Sequence, residues 1–124
     1  MSIPDDFPIR TEVLAHGDVH GIPWVAARAP LYGAVNGYCK LPDHHPWLDG
    51  DLYAAENNVP WGELTYGRGN WVGVDTLHAG QWWPGEKSTR YPGDELMTEE
   101  MAIAWAELLA HDAVDLIRAG TYCI

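Results

Sequence analysis

The chain is predicted to be α+β, an antiparallel sheet of about five strands with one C-terminal helix packed on a face. Three observations point there. Closely spaced runs of alternating apolar and polar residues before position 41 argue for an antiparallel meander. The stretch 61–83, WGELTYGRGNWVGVDTLHAGQWW, reads as a β-hairpin followed by a polar loop. From Thr98 onward the apolar spacing becomes helical. With 124 residues, 47% apolar and 20% charged, the chain is the size of a single domain, residues 1–124, around one core. Thirteen glycines and nine prolines imply short elements and many turns.

In order, residues 11–16 and 22–28 form two strands linked through Gly17 to Gly21, and Pro23 fits an edge position because it has no N–H for a ladder. A turn around Pro30 and Gly33 precedes a third strand at 34–40. From Leu41 to Pro60 the periodicity vanishes, and an irregular link this long inside a domain suggests service to a site. In the hairpin, Arg68 and Gly69 are taken as the tip, which sets Thr65 opposite Val72 and Glu63 opposite Val74. Trp61, Glu63, Thr65, Val72, Val74 and Thr76 then share one face, with Leu64, Tyr66, Trp71 and Asp75 on the other. Residues 82–93 are rich in breakers and read as a loop. Thr98 caps a helix that carries Glu99 and Glu100 in its first turn and runs to about Arg118 before Gly120. Met101, Trp105, Leu108, Leu109 and Leu116 make one apolar stripe of this helix; Ile103, Ala110, Val114 and Ile117 lie almost opposite. Glu100, Glu107, His111, Asp115 and Arg118 form the polar arc. So wide an apolar surface is either wrapped by loops or used for a homodimer through the helix. Asp112 falls inside the first stripe, where a buried carboxylate needs a partner; the alternative is that the helix bends or ends early and Asp112 lies at the rim.

Eighteen acidic against seven basic residues give a formal charge of −11, which repels phosphate backbones and anionic lipid headgroups. Nucleic acid and membrane are therefore not expected partners, whereas a protein with a basic surface is. Cys39 and Cys123 are far apart and lack CxxC spacing, so they read as free thiols in a reducing cytoplasm. The leading MSIPDDFPIR is acidic where a secretory signal is basic, and no run approaches the roughly 18 apolar residues of a membrane span. A soluble cytoplasmic protein is expected.

Three constellations can carry function. His45, Asp75 and His78, with Glu63 near by, offer two imidazoles and a carboxylate, a set suited to Fe(II) or to a catalytic zinc; the competing structural reading has Asp75 accepting backbone N–H bonds in a turn and His78 packed on Trp82 or Trp83. The same residues could instead move a proton without metal, with Glu63 or Asp75 orienting His78. A nucleophile would then be Thr65, Thr76 or Ser88, although no GxSxG elbow is present. The third constellation binds without chemistry: Trp61, Tyr66, Trp71, Trp82 and Trp83 bracket a Gly-rich tip bearing Arg68, and tryptophan and arginine are enriched at interface hot spots. Core packing is the alternative for those indoles.

Read together, GYCKLPDHHP (residues 37–46), GELTY (62–66), WVGVDTLHAG (71–80) and the closing helix resemble a family of small uncharacterised proteins common in actinobacteriophages and related bacteria. Its members carry GYVxVPxGHP, HGGLTY, WWxGFDxxHAGD and a helix after a Thr cap. On matching positions the resemblance points at His45, Thr65, Asp75 and His78. This chain departs from it at Trp61 and Gln81, where the family pattern has a histidine and an aspartate, and at Glu63, where it has a glycine. Those losses favour binding over catalysis. The expectation is a phage-type accessory protein, an inhibitor of a host or defence component, that contacts its partner through His45, Glu63, Thr65, Arg68, Trp71, Asp75, His78, Trp82 and Trp83. The alternatives are a small hydrolase of a nucleotide-like substrate using a divalent transition metal at His45, Asp75 and His78, and a protein that sequesters a nucleotide-like ligand between tryptophans.

Overall fold

The computed structural model describes residues 3–29, 34–48, 64–76, 81–83 and 95–118. Five strands form one antiparallel sheet: β1 (Val13–Val19), β2 (Ile22–Arg28), β3 (Val35–Lys40), β4 (Tyr66–Arg68) and β5 (Trp71–Val74), in the order β1-β2-β3-β5-β4. A parallel pair, β6 (Gln81–Trp82) with β7 (Glu95–Leu96), leads into α1 (Glu99–Arg118). The α+β architecture anticipated from the sequence is the observed one. No helix among the described residues is long and apolar enough to cross a membrane.

β1 runs three residues further than its spacing suggested. Gly17 and Asp18 look like breakers, yet the turn is the pair His20–Gly21, both with positive φ (47° and 89°), the signature of a two-residue hairpin turn matched to strand twist. Asp18 Oδ1 accepts the Gly21 N–H at 2.8 Å. Gly17 is required by packing: a Cβ there would lie 2.8 Å from the Trp24 indole. Pro23 is in an interior strand, not at an edge. The β2–β3 ladder begins only at Trp24, so its missing N–H costs no bond.

The hairpin tip is Gly69–Asn70, with Arg68 paired to Trp71 and Gly67 to Val72, one position later than expected. Gly69 takes φ 59° at the first central position, as a II′ turn demands. Moving the tip by one shifts each pairing by two, so the two faces survive. Leu64 is the exception. The Thr65 N–H bonds Gly73 O at 3.0 Å although Gly73 already pairs with Tyr66, a bulge that breaks alternation. Leu64 therefore joins the helix-side core while Tyr66 remains on the opposite face.

The helix-side core contains Trp24, Val35, Cys39, Leu41, Trp47, Val72, Val74 and Trp83, against which α1 lays Ala102, Trp105, Ala106, Leu109, Ala110 and Ala113. Its deepest line is thus mostly alanine. A Cβ on Gly37 would come within 2.9 Å of the Ala106 Cα, so helix backbone and β3 touch with almost nothing between them. Met101, Ile103, Leu108, Leu116 and Ile117, the flanks of that line, pack partly buried against the same core, so the wide apolar surface is largely wrapped within the chain. Glu100, Glu107, His111, Asp115 and Arg118 are exposed, and Asp112 is buried at 8% exposure. At the helix start, Thr98 Oγ1 accepts the Met101 N–H at 3.2 Å, and Arg28 bridges Glu12 and Glu99.

The second face is covered by the leading segment, which carries no periodicity in sequence. Phe7 stacks edgewise on Tyr38 and Trp71 at 5.4 and 4.8 Å, with Ile3, Ile9, Val13 and Tyr66 around it. Burying such a ring is worth on the order of 2–3 kcal/mol. Asp6 holds the segment down, accepting from Lys40 Nζ at 2.9 Å and from Trp71 Nε1 at 3.3 Å. Lys40 keeps its carboxyl below the ordinary range.

Replacing Gly37 by Ala should push α1 off the sheet and lower stability by about 1–3 kcal/mol. Urea unfolding would show this as a lower midpoint with unchanged slope.

Candidate functional site

His45 is placed by a turn. His44 adopts φ 68°, a left-handed conformation in which histidine is over-represented among non-glycine residues, and the His45 N–H returns to Pro42 O at 3.2 Å. Asn70 of the hairpin tip braces this turn through Leu41 O (2.9 Å) and Asp43 Oδ1 (2.7 Å). The reversal leaves His44 in solvent and drives His45 to full burial. There its Nε2 donates to Ala113 O of α1 at 3.1 Å and its Nδ1 accepts the Trp47 N–H at 3.1 Å. Both ring nitrogens are thus engaged, which selects the neutral Nε2–H tautomer. Burial holds the imidazole below its ordinary pKa, opposed by the bond to Ala113 O.

Asp75 follows β5 on the other side of the sheet. It continues the alternation of Trp71 and Gly73, the face that carries Tyr38. Burial raises the Tyr38 phenol above its ordinary value, with the charges of Tyr66 and Asp75 adding to it. The sheet therefore stands between His45 and Asp75, two of the three residues expected to share a metal. His78, the third, and Glu63 lie outside the described residues. Among the described residues no three His, Cys, Asp or Glu side chains are grouped as a metal site.

The aromatic ribbon also differs from the outward reading. Trp71 is buried beneath Phe7, and Trp83 belongs to the helix-side core. Trp83 Nε1 donates to Thr76 O and Oγ1 at 3.1 and 3.0 Å. Thr76, itself fully buried, donates through Oγ1 to Val35 O at 2.7 Å and through its N–H to Asn36 Oδ1 at 3.2 Å. A hydroxyl so used is a structural bridge between β3 and β5, not a free nucleophile. Thr65 is half-buried, and Arg68 is exposed at the tip. Trp61, Ser88 and the side chain of Trp82 lie outside the described residues.

Cys39 is buried, and burial pushes its thiol well above the ordinary range, so it behaves as a core apolar group. Cys123 is outside the described residues.

What faces solvent is mainly charge. One large apolar side chain among the described residues breaks that pattern: Leu96 is 43% exposed, next to exposed Glu95 in β7 and just before the glutamates that open α1. Sequence reasoning missed it because residues 82–93 read as a loop with no strand after them.

No known protein family, curated protein or solved structure matches the chain. Its functional reading therefore stands on its own residues.

Because folded His45 resists protonation while the unfolded chain accepts a proton near pH 6.5, stability is complete above that value and declines as pH falls below it. Chemical denaturation between about pH 7 and about pH 5 should show this decline, and it should be shallower in His45→Gln.

Proposed function

We propose that this chain is an accessory protein of the phage type that acts by binding a protein with a basic surface, inhibiting a host or defence component. Its formal charge of −11 favours encounter with a positive partner. The resemblance of GYCKLPDHHP, GELTY and WVGVDTLHAG to the small actinobacteriophage proteins supports the class. The observation that carries the reading is Leu96: an apolar side chain in solvent, with Glu95, Glu99 and Glu100 within four residues of it. An apolar side chain with acidic neighbours in sequence fits the apolar-centre, polar-rim composition of a protein interface. The contact is thereby assigned to the junction of β7 and α1 instead of the tryptophan ribbon, whose described indoles Trp71 and Trp83 are occupied with packing. Arg68, exposed at the hairpin tip, is a further contact residue open to the same partner.

Immobilised protein incubated with host lysate should retain a basic partner whose capture weakens as salt rises, because exposed charge pairs are screened. Leu96→Asp should reduce the affinity for that partner about tenfold or more while leaving the circular dichroism spectrum unchanged. Undiminished capture by Leu96→Asp would remove Leu96 from the interface.

A further inference from the structure

Among the described residues, nothing pairs with the outer edge of β1. Val19 and Ile22 close the His20–Gly21 turn, and antiparallel alternation directs the backbone bonds of Val19 and Gly17 inward to β2. The N–H and C=O of His16 and Asp18 consequently point off the sheet. No hydrogen bond reaches them from any other strand or loop among the described residues, and both side chains are exposed on the same face. Proteins commonly protect such an edge with lysine, proline or a covering element. β1 has no lysine or proline within Val13–Val19, and no strand among the described residues covers its edge; its bulge lies at the far end, between Val13 and Ala15.

We propose that β1 pairs with β1 of a second copy of this chain, antiparallel about a two-fold axis at Gly17, forming a continuous ten-stranded sheet. Two features select a second copy over an unrelated strand. First, this register sets His16 opposite the partner's Asp18, and Asp18 opposite the partner's His16. The paired residues are those with outward backbone groups, so each pair exchanges two main-chain bonds, and each imidazole N–H reaches a carboxylate on the same face. The sequence His16-Gly17-Asp18 is thus complementary to itself when reversed, as an isologous interface requires. Second, Gly17 at the axis has no side chain to collide with its own copy, and its helix-side surface is already filled by Trp24.

The pairing closes at two copies. The opposite edge, β4, is three residues long and bulged at Thr65, so it gives poor purchase for head-to-tail growth. The bulge at Val13–Ala15 likewise stops β1 pairing beyond the turn-proximal half. An edge contact this short belongs to the weak, transient class, with a dissociation constant of about 1–100 μM. General repulsion between two acidic chains is screened beyond about 8 Å at physiological salt, whereas the paired residues are in contact. This dimer does not use the polar outer arc of α1, and it leaves Leu96 unassigned to it.

Analytical ultracentrifugation of the full chain at about 0.15 M salt tests the proposal. At protein concentrations of about 100 μM and above, the expected species has twice the 13.8 kDa chain mass. His16→Asp places four carboxylates across the join and should raise the dissociation constant about tenfold or more. His16→Gln keeps a side-chain N–H facing each Asp18 carboxylate, leaves the Asp18 turn bond intact, and should retain the dimer. Circular dichroism confirms that both variants fold. A monomeric wild type under these conditions overturns the proposal, and so does a His16→Asp variant that dimerises as the wild type does. Loss of the dimer in His16→Gln would equally overturn the reciprocal pairing.

Discussion

Everything in this fold is arranged around the near-contact of two backbones, α1 at Ala106 and β3 at Gly37. A helix normally stands about 10 Å above a sheet, spaced by side chains; here a glycine and a line of alanines let it down further. Close approach brings many atoms within dispersion range. It also leaves room on either flank for large flat rings. Trp24 and Trp105 are buried on this side of the sheet together with Trp47 and Trp83, which explains why the described tryptophans on this face are so little exposed. The helix is also fixed along its length: Thr98 and Arg28 hold its first turn, and His45 grips the carbonyl of Ala113.

Polar groups inside the core act as joints. His45 ties an irregular segment to the helix, and Thr76 ties β3, β5 and Trp83 together. Each is fully buried, and a buried donor or acceptor left without a partner costs about 1–3 kcal/mol. Their geometry is therefore strongly specified. The same economy bears on the expected metal set: with both ring nitrogens of His45 committed, the imidazole can ligate a metal only after its bond to Trp47 N–H or to Ala113 O is given up. Within the described residues the buried imidazole of His45 and the buried hydroxyl of Thr76 are both occupied, and the surface presents mainly charge.

Much of the architecture was legible because it rests on local rules. Thr98 announced the helix by its capping side chain, and the short run at 22–28 between turn residues and the alternation at 35–40 located the two central strands. The hairpin faces survived an error at the tip, since only an odd slip reverses them. What could not be read depended on distant contacts. Gly17 and Asp18 resemble a turn until Trp24 is seen covering the glycine. Leu64 follows alternation on paper and departs from it through a bulge. The alanine line of α1 was passed over because the bulkier neighbours draw attention, although the smallest residues mark the closest contact. His45 was the least readable: nothing in DHHP tells which of two adjacent imidazoles faces inward. That is decided by the left-handed turn at His44, itself braced by Asn70.

The segment that covers the second face has a consequence for the order of assembly. Asp6 and Trp71 are 65 positions apart, so during synthesis the first residues wait, unsheltered, until most of the polypeptide has emerged. β1, β2 and β3 can zip together early, because their contacts are short in sequence, but the surface around Val25 and Tyr38 stays wet until β5 arrives to complete it. The opposite side waits longer still, because α1 (Glu99–Arg118) emerges only after β5. A nascent chain of this kind can therefore shut the Phe7 latch while the face that α1 will cover is still open to whatever binds exposed aromatics in the cell.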